Sequence, residues 1–379
     1  MQASAGGRMR IDVNGLDVLL RALADEGHEL VGPRVQDGAI VLGPIRGVED
    51  LPRGVGDEQA PGRYRLRARG DDALFGYAVP QHSFKKELLL PRVTLVRIRR
   101  GKTGAVVEAP PRPDRKVAFV GMRACEIAAV EVQDRVLRDG PWMDADYAAR
   151  REQVFVLAVQ CGAPSGTCFC VSMGTGPKAE AGFDLALTEL LAPEHAFVVE
   201  VGTEAGRRIL ARVPRREATA EEEEAAARVV CDAAARMGRT MDTTNIRDLM
   251  MSNLEHPRWE DVAERCLGCA NCTLACPTCF CTDVEDTTDL SGDEATRTRR
   301  WDSCFTFDFA YLHGGGVRPS LRGRYRQWLT HKVATWHDQF GTSGCVGCGR
   351  CITWCPVGID ITEEVAAIRA TSATAERGG

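Results

Sequence analysis

Two runs in the last third of the chain, CLGCANCTLACP and CVGCGRCITWCP, repeat the spacing C-x2-C-x2-C-x3-C-P. The first carries Cys266, Cys269, Cys272 and Cys276 ahead of Pro277; the second carries Cys345, Cys348, Cys351 and Cys355 ahead of Pro356. From Cys266 onward long apolar runs are few, so this part of the chain needs something other than a hydrophobic core to hold it together. Eleven of the sixteen cysteines fall between Cys266 and Cys355. They are too sparse over the whole chain for a small disulfide scaffold, and their short regular spacing reads as metal ligation in a reducing compartment.

The spacing is that of a bacterial two-cluster ferredoxin. Three thiolates on a tight loop reach three irons of one cube, and the small residues Gly268, Ala270, Gly347 and Gly349 let the backbone wrap closely. The fourth cysteine leaves in another direction and is expected to ligate the other cube. One [4Fe–4S] cluster is therefore assigned to Cys266, Cys269, Cys272 and Cys355, and a second to Cys345, Cys348, Cys351 and Cys276. Structural zinc asks for two separated C-x2-C pairs and gains nothing from a doubled four-cysteine run.

A further site is expected upstream. VAFVGM (117–122) and VFVLAV (154–159) read as buried strands, and CEIAAVEVQDRVL (125–137) and GFDLALTELL (182–191) as helices. Strand, helix, strand suggests an α/β layer with parallel pairing. If the two strands are parallel neighbours, Cys125, Cys161, Cys168 and Cys170 all fall at their C-terminal edge, where open α/β sheets place ligands. Four thiolates there suit a third [4Fe–4S] cluster, with zinc or a rigid buried TCFC turn as the alternatives. A helix N-terminus at Cys125 would favour the thiolate. The nearby GTGPKA formally fits G-x-G-x-x-A, but it does not directly follow a strand and Pro177 interrupts it, so a dinucleotide site is not expected.

The chain of 379 residues divides on this reading into three parts. An α/β domain covers 1–213, a helical connector 214–262, and an α+β two-cluster ferredoxin-like domain 263–379 with a long insert at 282–343. AIVLGPI, RYRLRA and LFGYAV are expected as an antiparallel addition to the first part. Thr219 is placed to cap the first connector helix, whose glutamates read as a solvated face, and a second is expected near Ile246 to Leu254. The insert is acidic from Asp283 to Glu294 and basic afterwards, through RPSLRGRYRQWLTHK from Arg318. That stretch, with Tyr325 and Trp328, suggests a solvated face, a contact to an acidic protein surface or a nucleic-acid grip. A net charge of −5 favours the protein contact, so no nucleic-acid partner is expected. Cys279, Cys281 and Cys304 are either buried structural thiols or part of a site that three ligands alone do not complete. No apolar run reaches the length of a membrane span, and MQASAGGRMRIDVNG lacks the apolar core of a secretory signal, so a cytoplasmic location is the expectation.

Taken together, VGMRACEIAAVEVQDRV, YAARREQVFVLAVQC, TCFCVSMGTGP, FDLALTEL, CLGCANCTLACPTCFC, RRWDSCFTFDFA and CVGCGRCITWCP resemble the beta subunit of cytoplasmic bidirectional [NiFe] hydrogenases of the sulfhydrogenase type. The A subunit of anaerobic sulfite reductase belongs to the same family. The resemblance implies three partners: a nickel–iron large subunit, an iron–sulfur small subunit and a flavin subunit that uses NAD(P), with electrons relayed between the last two. It does not separate the hydrogenase from the sulfite reductase. The residues themselves offer no Ser/His/Asp arrangement, HExxH or P-loop, and 7 histidines leave little for a histidine-rich site. A catalytic centre is therefore not expected, and a relay is.

Overall fold

The computed structural model describes residues 7–109 and 111–377, with side chains as far as 372. Its largest sheet has eight strands: β1 (Met9–Asp12), β2 (Glu29–Gln36), β3 (Ala39–Pro44), β8 (Val117–Met122), β9 (Val154–Val159), β10 (Leu185–Leu190), β11 (Ala196–Val201) and β12 (Arg216–Glu217). Two hairpin strands, β4 (Val55–Ala60) and β5 (Arg63–Ala68), and a second pair, β6 (Arg92–Gly101) and β7 (Gly104–Glu108), lie between β3 and β8 in sequence. The order across the large sheet is β12-β1-β11-β10-β9-β8-β2-β3. Its centre, β2, β8, β9 and β10, is parallel, and the outer pairings are antiparallel. Central strands with both faces covered read as continuous apolar runs, and all six residues of β8 are buried. One face is closed by the helices Val13–Asp25 and Glu204–Ala211, through Leu16, Leu20, Leu23, Ile209 and Leu210. The other is closed by Phe84, Leu88, Ile127, Val130 and Tyr147.

Two expectations fail. GFDLALTELL is not a helix: Leu185–Leu190 is β10, inserted between β9 and β11. Leucine, alanine and glutamate favour helix locally, but a slot in a sheet covered on both faces outweighs that preference. LFGYAV is in no strand. Its backbone is satisfied by side chains instead: Leu74 and Phe75 N–H donate to the Glu189 carboxylate, and the Phe75 and Tyr77 carbonyls accept from Arg123.

Thr219 caps the helix Ala220–Ala235 with a reciprocal bond to Glu222, and a further helix runs Ile246–Ser252. Glu222 also binds Arg10 and Arg216, so one of the glutamates read as a solvated face ties the connector back to the sheet. The insert forms a hairpin, β13 (Thr282–Thr288) and β14 (Glu294–Trp301), which adds to β6 and β7 in a four-stranded sheet ordered β13-β14-β6-β7. This sheet combines strands from both sides of the boundary expected near residue 263. Its acidic and basic runs face one another across strands, as in Arg297–Asp286 and Arg300–Glu285.

The remaining C-terminal segments are mostly helical. A core of Trp259, Tyr325, Trp328, Met250, Val333 and Ile368 surrounds both cysteine runs. The helix Leu321–Thr330 continues through a π-helical turn, His331–Thr335, into Trp336–Phe340. No helix among the described residues is long and apolar enough to cross a membrane.

Candidate metal centres

The first cysteine run starts where the helix Arg258–Arg265 ends. Cys266, Cys269, Cys272 and Cys355 line one apolar cavity, walled by Phe305, Tyr325, Trp328, Ile359 and Ile361. Backbone amides point at two of these sulfurs, Gly268 N–H to Cys266 Sγ at 3.4 Å and Ile359 N–H to Cys355 Sγ at 3.3 Å. Amide donors to thiolate sulfur are what an iron–sulfur cluster requires of its surroundings. Burial pushes the Cys272 thiol well up, and the Cys266, Cys355 and Cys269 thiolates add to the shift.

The second run repeats this local shape. Gly347 N–H faces Cys345 Sγ at 3.5 Å. Cys351, half-buried, sits among Cys345, Cys348 and Cys276; desolvation pushes its thiol well up and these neighbours add to the shift. The two loops take left-handed backbone at matching positions: Gly268 (φ 63°) and Ala270 (66°) in the first, Gly347 (64°) and Gly349 (74°) in the second. Alanine is tolerated at 270 at the cost of some strain. The second loop has no such room. A Cβ on Gly349 would stand 2.4 Å from the Thr167 carbonyl oxygen, and one on Gly347 2.6 Å from Cys170 N. The second loop is thus pressed against the TCFC segment of the α/β domain. The first has an outer edge: Cys269 is exposed and Leu267 is 64% exposed.

Lys332 belongs to this second set, a connection for which sequence reasoning has no signal. The π-helical turn presents its buried ammonium to Cys276 Sγ (3.2 Å), Thr278 Oγ1 (3.0 Å) and the Gly344 carbonyl (3.2 Å). Burial alone would lower this ammonium, but the Cys276, Cys279 and Cys345 thiolates outweigh it and keep it charged. In return, Cys279 donating to Cys276, with the Lys332 ammonium, holds the Cys276 thiol well below its usual range despite burial.

The upstream cysteines also meet. β8 and β9 are parallel neighbours with a bulge beyond Val120. Cys125 lies in the first turn of the helix Ala124–Leu137, Cys161 just after β9, and Cys168 and Cys170 in the loop beyond. Ser165 N–H and Oγ lie 3.4 and 3.1 Å from Cys168 Sγ, and the Cys168 thiol donates to the Cys348 carbonyl at 3.9 Å. Phe169 N–H donates to the Gly347 carbonyl at 2.8 Å. The helix N-terminus was expected to favour a Cys125 thiolate; burial dominates instead and pushes the thiol well up, with Cys170 adding to it. Burial raises Cys168 to about 12, with Cys161 contributing. Buried thiols this reluctant to ionise stay protonated unless a bound cation compensates the charge.

The contact between this loop and the second cysteine run is locked by charge. Arg350, inside CVGCGRC, is 1% exposed and binds Glu126 at 2.7 Å; Glu126 is 2% exposed and belongs to the helix that carries Cys125. A signal for it existed in the sequence: the matching position of the first run is Asn271, and a cation between ligands of a buried loop needs a counter-ion. Arg123, also 1% exposed, donates to the Gln160, Phe75 and Tyr77 carbonyls and fixes the chain around the sheet edge.

Among the described residues, no group of three or more His, Cys, Asp or Glu side chains converges tightly enough for a single metal ion. The basic stretch from Arg318 is largely spent within the chain. Arg322 and Arg326 bind Glu255, Arg324 donates to the Phe305 and Pro319 carbonyls, and Tyr325 and Trp328 are buried.

The family model for a 4Fe-4S dicluster domain matches residues 265–359. Sulfhydrogenase 2 subunit beta of Pyrococcus furiosus is 31% identical over 279 residues, which cover 73% of this chain and 79% of that protein. A chain in the structure of the F420-reducing [NiFe] hydrogenase complex from Methanosarcina barkeri aligns over 66% of this chain and 96% of its own. Its TM-score is 0.30 and its identity 9%, too low to support an argument.

Proposed function

The chain belongs to the sulfhydrogenase beta-subunit family and carries a 4Fe-4S dicluster domain, and from that premise we propose that it is the electron-relay subunit of a hydrogenase complex. In this reading Cys266, Cys269, Cys272 and Cys355 hold one [4Fe–4S] cluster, and Cys345, Cys348, Cys351 and Cys276 a second. Cys125, Cys161, Cys168 and Cys170 hold a third. Bound cubes supply one-electron storage at each position. The rest is the work of the chain.

The observation that carries the reading is the nesting of the three thiol sets. The upstream set touches the second through Cys168 and Cys348 and through Phe169 and Gly347. Cys272 of the first set and Cys351 of the second lie close enough to perturb one another's neighbourhood, since Cys276 raises Cys272 and Cys272 raises Cys351. The series runs from the sheet edge of the α/β domain to the exposed edge at Cys269. Leu267, Leu274 and Val357 are exposed near that edge, and a partner subunit would cover them. The partners in this reading are a flavin subunit using NAD(P), an iron–sulfur small subunit and a nickel–iron large subunit. The test is anaerobic purification of the native complex through a tag on this chain. Nickel and flavin in fixed ratio to the chain are the expected result; siroheme in their place would overturn the assignment in favour of a sulfite reductase.

Lys332 sets a second expectation. One positive charge beside Cys276 stabilises the reduced, more negative state of whatever that thiolate ligates. Lys332→Met should therefore move one cluster's reduction potential to more negative values, by on the order of 100 mV for a unit charge at about 4 Å in an effective dielectric of about 20. An EPR-monitored redox titration reads this directly, and unchanged potentials at every cluster would show that the ammonium does not act there.

A further inference from the structure

Cys279, Cys281 and Cys304 are not assigned to the three sets above, although the Cys279 thiol donates to Cys276 of the second, a proton it would give up on binding iron; together with Lys332 they line a cavity of about 320 Å³. All three come from the segment around the insert: Cys279 and Cys281 from PTCFC, Cys304 from just beyond β14. Their position is built, not incidental. Lys85 Nζ donates to the Cys279 carbonyl at 3.1 Å and the Leu274 carbonyl at 3.3 Å, and the Asp302 N–H donates to the Cys281 carbonyl at 2.9 Å.

The same cavity is walled by Trp328 and Trp336, which are 4% and 2% exposed. The indole N–H of each is buried without a hydrogen-bond partner. A buried, unmet N–H is costly, and a single one calls for an explanation. Both indoles line the three-thiol cavity, Trp328 standing between it and the cavity of the first set, and N–H donors beside sulfur are the usual surroundings of iron–sulfur clusters.

We propose that this cavity holds a further [4Fe–4S] cluster, ligated by Cys279, Cys281 and Cys304, with its fourth iron free of cysteine. Among the described residues of that wall the imidazole is His331, whose Nε2 pairs with Gln339 Oε1 at 3.1 Å. The inference rests on the iron–sulfur reading of the chain and extends it to a site with an open coordination position, where an exogenous ligand can bind.

Iron and acid-labile sulfide counted on the anaerobically purified full-length chain test it. The unmodified chain is expected to hold about sixteen irons, eight of them in the paired runs. Cys281→Ala/Cys304→Ala should lose about four of these, and Cys125→Ala/Cys168→Ala a different four. Equal iron in the unmodified chain and in Cys281→Ala/Cys304→Ala overturns the proposal while leaving the other clusters standing. If that double variant is insoluble, Cys125→Ala/Cys168→Ala decides: about twelve irons upholds the site and about eight removes it. A chain with no iron at all would overturn the iron–sulfur reading itself.

Discussion

Arg350→Ala is expected to destabilise the chain by about 3–5 kcal/mol, the usual cost of leaving one member of a buried ion pair without its partner. Glu126 would keep its carboxylate at 2% exposure, with only the Arg123 N–H at 3.3 Å to answer it. The Pro80 carbonyl would also lose the 2.8 Å donation from Arg350 Nε. The damage should fall on the contact between the helix Ala124–Leu137 and the second cysteine loop, because Arg350 and Glu126 are 224 residues apart and join those two elements. The pair itself is not the source of the loss. Arg350→Met combined with Glu126→Leu should be far less harmful than either change alone, since it removes both charges and keeps the volume. Anaerobic urea denaturation followed by tryptophan fluorescence measures all three variants. A loss below about 1 kcal/mol in Arg350→Ala would mean that the carboxylate relaxes to solvent and the contact is held by packing alone.

Cys168→Ser is the second large effect. Its thiol donates to the Cys348 carbonyl of the dicluster part at 3.9 Å and lies 3.1 Å from the Ser165 hydroxyl of its own loop. Serine keeps the shape and the hydrogen bonds but is a poor ligand for iron. The variant should fold, lose about four irons per chain, and keep the EPR signals of the paired runs. In the complex proposed above, electron transfer between the flavin and the nickel centre of that proposal should fall with the missing iron. Full iron content in Cys168→Ser would reduce the TCFC segment to a rigid turn that buttresses Gly347 and Gly349.

The ease of reading differed from part to part. The paired runs were legible because their geometry is local: seven residues, small at the third and fifth positions, suffice to bend a loop around a core. The upstream set was legible at one remove. It required β8 and β9 to be parallel neighbours, which their unbroken apolar sequences suggested. β10 was misread because its leucines and glutamate satisfy a helical preference as well as a strand, and only the vacancy between β9 and β11 decides between them. Arg350 with Glu126, and Lys332 with Cys276, were out of reach for another reason. A buried charge declares that it needs a partner, but nothing in a linear sequence says which one. The pairing of β6 with β14 had the same difficulty, with almost two hundred residues between strands whose charges looked like solvated runs.

The π-helical turn at His331–Thr335 carries a requirement of its own. An α-helix advances about 100° per residue, and this turn takes up one more residue than ordinary winding would. Deleting a single residue there would let the backbone relax into regular coiling with the flanking helices close to their present register, but the widened turn that carries the Lys332 amine to its sulfur would be gone. A deletion elsewhere between Leu321 and Phe340 has no such bulge to draw on and would turn one half of the rod against the other. The surplus residue is therefore spent on aiming one amine, and its place in the rod matters more than the rod's length.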